Sequence, residues 1–304
     1  MKMKSLSVLI ILLLPSLFLY SQNLSWPYNK EYWESVSPEH LSRELEAGVH
    51  IDKLDVQGYT ALSYAAGLTD NPEIIALLLE REPNLEHRDS IGWTPLMFAV
   101  SMNQNEEITR LLLEAGADEN AVGYKKYSVL MIAASWCSNE KIIDLLIEHG
   151  ASVSDRNSLG GQTALMYAAS WNKTPEISEA LIRGGSDPEK RDSIGRTAIM
   201  MAAELNESHE VFARLFERGV SRTKRDSEGR TLIMLAASGF NPENVELLYK
   251  SGADLKAVDS SGKNIWDYIS ANENMKEADI YWTFNDMFYE GFWDEEPEEE
   301  ENEE

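Results

Sequence analysis

Apolar residues along this chain alternate between two patterns. In the first, segments are apolar nearly all round and centre on small pairs, Ala65-Ala66, Ala133-Ala134, Ala168-Ala169, Ala202-Ala203 and Ala236-Ala237. Paired methyl side chains let backbones approach closely, which predicts helices that stack on their own copies. In the second, apolar residues sit four apart, as in Ile74 and Leu78, Ile108 and Leu112, Ile142 and Leu146, Ile177 and Leu181, or Val211 and Leu215. This spacing predicts helices with one buried face.

The boundaries of these segments repeat as well. The inner segments recur as GYTALSYAA from Gly58, GWTPLMFAV from Gly92, YSVLMIAAS from Tyr127, GQTALMYAA from Gly161, GRTAIMMAA from Gly195 and GRTLIMLAA from Gly229, with a weaker copy, GKNIWDYIS, from Gly262. A hydroxyl or amide column, Thr60, Thr94, Ser128, Thr163, Thr197, Thr231 and Asn264, runs with spacings of 34, 34, 35, 34, 34 and 33. A short side-chain oxygen there predicts an N-cap, with Pro95 at the position proline tolerates. A second set of capping residue types follows, Asn71, Asn105, Asn139, Thr174, Ser208 and Asn241. Gly116, Gly150, Gly185, Gly219 and Gly252 predict left-handed helix ends, a column that Glu82 breaks in the first copy with an altered turn. The connections Asp55 to Gly58, Asp89 to Gly92, Asp192 to Gly195, Asp226 to Gly229 and Asp259 to Gly262 have turn chemistry and predict protruding hairpins.

Each phrase resembles the ankyrin signature T-P-L-H-x-A, most closely at Thr94-Pro95-Leu96, over about Lys53 to Tyr268. The resemblance implies an all-α solenoid of helix-turn-helix units joined by short β-hairpins. One departure is consistent: the family's His is Met97, Met131, Met166, Met200 and Met234 here, or Ser63 in the first copy. That His is structural in the family, so the departure alters packing and leaves function untouched. The chain divides into a leader at 1–21, an N-terminal cap at 22–57, six full repeats at 58–263, a degenerate repeat with an aromatic segment at 264–293, and a tail at 294–304 expected to be disordered. Glu39 to Ala47 reads as a lone amphipathic helix with Trp26 to Trp33 beside it. The aromatic segment from Tyr281 to Trp293 reads either as a cap over the last apolar face or as a docking peptide.

Composition adds location and sign. Lys2 and Lys4, an apolar run from Leu6 to Leu19 and a small residue at Ser21 have the three parts of a secretory leader. Cleavage near Ser21 would leave a periplasmic or secreted product with no membrane insertion; retention as an anchor is the alternative. The formal net charge is −25, with nine of the negative charges inside 294–304. An acidic body repels phosphates, so nucleic acid is not expected as a partner. Cys137 is the one cysteine, so the fold has no internal disulfide and that thiol is expected to be buried.

Catalytic chemistry has no signature. The five histidines show no metal-ligand spacing, Gly262-Lys263 lacks the preceding glycine of a phosphate loop, and Cys137 has no assignable His partner. Neither enzyme activity, cofactor nor metal is expected. In the family, ligands meet the concave face of hairpin tips and first helices. Carried over by position, the residue before each capping hydroxyl is Tyr59, Trp93, Tyr127, Gln162, Arg196, Arg230 and Lys263, an aromatic half followed by a cationic half. Eight residues after the hydroxyl stand Leu68, Met102, Trp136, Trp171 and Leu205. Aromatic and Arg side chains dominate binding hot spots, so Tyr59, Trp93, Tyr127, Arg196, Arg230, Met102, Trp136 and Trp171 are the candidate partner-binding residues. Trp136 and Trp171 read equally as covers of the inter-helix loop. The leading expectation is a monomeric module that binds a protein partner; the alternative is a structural protein that self-associates through the aromatic segment.

Overall fold

The computed structural model describes residues 30–293, except 56, 57 and 222. The leader, Trp26 and the acidic tail lie outside the described residues. Sixteen α-helices stand in pairs, and no strand is formed among the described residues.

The inner helices are α1 (Lys30–Ser35), α3 (Ala61–Leu68), α5 (Pro95–Met102), α7 (Val129–Trp136), α9 (Ala164–Trp171), α11 (Ala198–Leu205), α13 (Leu232–Ser238) and α15 (Ile265–Ala271). The outer helices are α2 (Pro38–Glu46), α4 (Pro72–Leu79), α6 (Glu106–Glu114), α8 (Glu140–Glu148), α10 (Pro175–Arg183), α12 (His209–Glu217), α14 (Pro242–Lys250) and α16 (Asp279–Tyr289). Each helix packs on its counterpart in the next pair, giving two parallel rows. The single N-terminal helix expected from Glu39 is thus joined by α1, whose Trp33 is buried.

The alanine pairs of the inner row are fully buried, as are Ile74, Ile108, Ile142, Ile177 and Val211 of the outer row. Each such aliphatic side chain contributes about 1.5–3 kcal/mol of burial. Met97, Met131, Met166, Met200 and Met234 are also buried, filling with a flexible thioether the space a ring would otherwise occupy. The core is one continuous cluster from Trp33 to Phe284.

Seven of the thirteen expected caps form, Asn264 among them, whose side chain accepts from the amides of Trp266 and Asp267. Thr60, Thr94 and Ser128 accept from the amides of Ser63, Met97 and Met131, and Asn71, Asn105 and Asn139 from those of Glu73, Glu107 and Lys141. The side chains of Thr163, Thr197, Thr231, Thr174, Ser208 and Asn241 make no cap bond. The loops around the later outer helices are held by a column two residues earlier. Asn172 and Asn206 accept from the amides of Thr174 and Ser208. Their amide nitrogens reach back to the preceding repeat, Asn172 to the carbonyls of Ala134 and Cys137, Asn206 to those of Ala169 and Asn172. Asn103 and Asn272 do the same. Buried carbonyls at the ends of the inner helices are satisfied in this way.

The tips are turns, and a β-hairpin ladder is not formed; one isolated antiparallel bridge joins Val122 and Ser128. An Asp at the base of the turn takes up the amides that strand pairing would otherwise use: Asp89 Oδ1 accepts from Ile91 and Trp93, and Asp192, Asp226 and Asp259 act alike. Neighbouring tips are sewn together by backbone bonds, from Tyr124 N to Ile91 O, Ser158 N to Lys125 O, Ser193 N to Gly160 O, Ser227 N to Ile194 O and Ser260 N to Glu228 O. Guanidinium groups add staples: Arg88 donates to Val122 O, Arg191 to Arg225 O and Arg225 to Val258 O. Glu82, which breaks the glycine column, takes the same left-handed conformation as the glycines, with φ 52°. Trp266 of the inner row packs against Tyr281 of the outer α16, Phe288 stacks on Trp266, and Phe284 is buried with Trp293 stacked over it. Trp282, Phe288 and Tyr289 of α16 remain exposed.

Candidate functional site

Position before the capping hydroxyl fixes where each candidate side chain starts; what the neighbouring repeat presents decides how far it stays open. Tyr59 lies edge-on to both Tyr64 and Phe98, and Trp93 edge-on to Phe98. Trp93 is only 8 % exposed, so it does not point outward as the position suggests. The Phe98 ring beneath it and the Gly123 backbone beside it complete its enclosure. Tyr59 and Tyr127 are half-buried. Burial first, and then Asp89 and Asp55, push the Tyr59 hydroxyl up to about 12. Tyr127 bonds through its hydroxyl to Tyr167, 2.5 Å away, and burial raises both phenols.

In the second half Lys263 is exposed, but the two arginines are neutralised. Arg196 and Arg230 converge on one carboxylate, Glu204, at 3.2 and 3.1 Å. Each also pairs with the Asp of its own turn, Arg196 with Asp192 at 3.1 Å and Arg230 with Asp226 at 2.7 Å. Burial opposes the Arg230 charge, but Glu204, Asp226 and Glu228 outweigh it and hold that pKa above the usual value. Two guanidinium charges therefore meet at least three carboxylates, and the network ties the fifth repeat to the sixth. Met102 packs on Gly67, where an added Cβ would sit 3.6 Å from its sulfur. Trp136 and Trp171, at the ends of adjacent inner helices α7 and α9, stay half-buried.

The turn aspartates explain much of this arrangement. The second oxygen of Asp55 accepts from the Tyr64 hydroxyl at 2.8 Å, that of Asp259 from Tyr268 at 2.5 Å, and those of Asp192 and Asp226 from Arg196 and Arg230. Asp89 has neither partner, because Phe98 stands where Tyr64 and Tyr268 stand and Trp93 where the arginines stand. Its Oδ2 is buried without a hydrogen bond. Burial pushes the Asp89 carboxyl up, against the opposing pull of the Trp93, Ile91 and Gly92 amides and of His87. Phe98→Tyr is expected to supply the missing donor and stabilise the fold by about 1 kcal/mol, read as a higher urea midpoint. The sign with pH is fixed: a raised folded pKa favours the native state below the unfolded pKa, and that advantage is lost as pH rises through the folded pKa. The variant's gain should thus be largest near neutrality and shrink on acidification; an equal midpoint at pH 7 would refute the account.

Two tips, the third and the fourth, lie outside the Asp-to-Gly connections read from the sequence; in the fourth, Asn157 takes the part of the Asp and accepts from the amides of Gly160 and Gln162. The third repeat replaces the Asp and Gly of its turn with Gly123 and Lys126, and Lys125 and Lys126 both adopt left-handed φ, 59° and 60°. Tyr124 beside them is exposed. The loss of both turn residues in a single copy was the available signal. Cys137 is fully buried, with burial pushing its thiol up to about 11. Among the described residues no helix is long and apolar enough to cross a membrane, and no group of three or more His, Cys, Asp or Glu is arranged to hold a metal ion.

No curated protein matches the chain. A family model described as Ankyrin repeats (3 copies) matches residues 37–123, 119–192 and 165–259. The match overlaps the stacked helical pairs, the turn column and the inner alanines, and on that ground the chain belongs to the ankyrin-repeat family.

Proposed function

We propose that this chain is an exported module that holds a partner protein against the face formed by its tips and inner helices. Ankyrin repeats are generally protein–protein interaction modules, and the leader pattern at 1–21 supports export to the periplasm or outside the cell. The observation that carries the choice of face is the pair Trp136 and Trp171, left half-open at the ends of adjacent inner helices. Large rings with few rotamers give much contact area at small entropic cost. Tyr127, Tyr59 and Met102 extend that face, while Trp93, Arg196 and Arg230 act as its foundation and contribute little open surface. The acidic body argues for protein over nucleic acid.

The test is capture from native envelope and culture fluid on immobilised protein, wild type against Trp136→Ala/Trp171→Ala. Hot-spot side chains of this kind carry about 2 kcal/mol or more each, so retention of the specific partner should fall at least tenfold while the far-ultraviolet dichroism is unchanged. Undiminished capture removes this face from the proposal. A second reading, self-association through α16, draws on the exposure of Trp282, Phe288 and Tyr289, at 56 %, 46 % and 79 %. Sedimentation giving a concentration-independent monomer would dispose of it.

A further inference from the structure

Cations on this protein are distributed in two ways. Those of the outer helices from α6 onward are paired: Arg110 with Glu107, Lys141 with Glu106, Arg183 with Asp144, Arg214 with Glu179 and Lys250 with Glu246. Arg196 and Arg230, deep on the inner side, are paired as well. On the tips the pattern reverses. Arg88, Lys125, Lys126, Arg156, Arg191 and Arg225 are all exposed, and none has a carboxylate within ion-pair distance among the described residues. The guanidinium bonds that Arg88, Arg156, Arg191 and Arg225 make go to backbone carbonyls, which leave the positive charge uncompensated.

The acidic groups near this edge are accounted for. Glu86 and Glu189 lie within the fields of Arg88 and Arg191, but Glu86 accepts from the Asp118 amide of the next repeat, and Glu189 from the Ser221 amide and the Lys224 ammonium of the next repeat, so the tip-side Lys224 is paired there. Asp155 is bonded to Ser152, and Glu228 leans on Arg230. A row of open cations on a protein of net charge −25 is the reverse of what composition alone would place there.

We propose that the tip edge binds an extended acidic segment of the partner, one carboxylate per repeat. This rests on the protein-binding reading above and names the chemistry its partner presents. Stacked helices lie about 8–10 Å apart, so successive tips present their charges at about that interval. A polyproline II segment rises about 3.1 Å per residue with three residues per turn, so every third side chain falls on one face about 9 Å from the last. A segment with a carboxylate at every third position therefore matches the tip row. A long polyanion fits worse, because the acidic flanks of the solenoid repel phosphates beyond the row.

The left-handed Lys125 and Lys126 sharpen the choice of site. Non-glycine residues in that conformation cost about 1–2 kcal/mol each, and the other complete tips spend an Asp or Asn and a Gly to avoid it. The third tip gives up both and presents two ammonium groups, with Lys125 over the ring of Tyr124.

The test uses the full mature chain and a fluorescent peptide of six Glu-Pro-Pro units, titrated by anisotropy at low salt. Binding is expected, weakening steeply with added salt, and lost when every Glu is replaced by Gln. Lys125→Asn/Lys126→Asn, in which Asn tolerates the left-handed turn, should weaken binding about fivefold or more at an unchanged urea midpoint. Equal affinity for the Gln peptide, no effect of the double variant, or tighter binding of a single-stranded oligothymidylate would each overturn the proposal. Binding seen only after residues 294–304 are neutralised by amide substitution would assign the edge to the chain's own acidic run and overturn it too. The readout is independent of the capture experiment: failure of the peptide with capture intact removes only this inference, and loss of Trp136 and Trp171 dependence with peptide binding intact removes only the earlier one.

Discussion

Gly239→Ala should uncouple the last repeats from the rest of the stack. Gly239 ends α13 with φ −86° and ψ −157°, a conformation open to alanine, so backbone preference is not at stake. The obstacle is steric. A Cβ at this position would lie 2.3 Å from the carbonyl oxygen of Ala203 and 3.2 Å from Glu204 Cα, both on the preceding inner helix α11. These are backbone atoms, so only a displacement of α13 relieves the clash, and overpacking of this sort costs about 3 kcal/mol. Contacts in a solenoid run between neighbours, so the damage stays at one junction. Urea unfolding is expected to split, with amide exchange accelerating across α13 to α16 while α5 to α8 keep their protection. A single transition shifted by less than about 1 kcal/mol would show that the junction has slack. Gly252→Ala is the matched control, for its φ of 77° strains alanine while its surroundings hold no atom within 4 Å.

Asn206→Ala should come next in severity. The side chain is 1 % exposed. It closes three bonds: Nδ2 to the carbonyls of Ala169 and Asn172 at 2.9 and 2.8 Å, and Oδ1 from the Ser208 amide at 2.7 Å. Alanine leaves two buried carbonyls and one amide without partners, at about 1–3 kcal/mol for each group that stays dry. A loss of about 3 kcal/mol is expected in the urea midpoint. Asn206→Asp keeps the acceptor and removes the donor, so it separates the bond to Ser208 from the two that cross the repeat boundary. If the aspartate variant matches wild type, the inter-repeat bonds are not what holds the junction.

How much of this was legible in the sequence differs from column to column. The helix pairs were plain, because apolar spacing and small pairs are local and repeat without interruption. The column that contains Asn206 was not read, although it too recurs. It runs Thr69, Asn103, Cys137, Asn172, Asn206, Gly239 and Asn272, and its changes of residue type hide a shared position in which Cys137 accepts from the Asn139 amide through sulfur. The neutralised arginines were also within reach. Seven residues after the capping hydroxyl the chain reads Gly67, Ser101, Ser135, Ser170, Glu204 and Ser238, so one carboxylate stands alone in a column of small residues beside two arginines. Its meaning needed the geometry, since Glu204 is eight residues from Arg196 and twenty-six from Arg230. Trp93 failed for a similar reason. Position on a tip sets the direction of a side chain, but the Phe98 ring and the Gly123 backbone decide that it is covered, and neither is adjacent in sequence.

The staples between tips have a mechanical consequence. Arg88 bridges to Val122, Arg191 to Arg225 and Arg225 to Val258, whereas Arg156 folds back on Gly161 of its own turn and Val122 has no charge to extend. On either side of the fourth unit the tips lack guanidinium staples; backbone stitches hold both junctions, with Ser158 Oγ donating to Lys125 O and the Tyr167 hydroxyl donating to Tyr127 at the first of them. Bending should concentrate there, as in a spring whose central coils are thinner. The radius of curvature of the cradle is then set by the region that carries Trp136, Trp171 and the twin lysines, so the stretch proposed to meet a guest would also adjust to its girth.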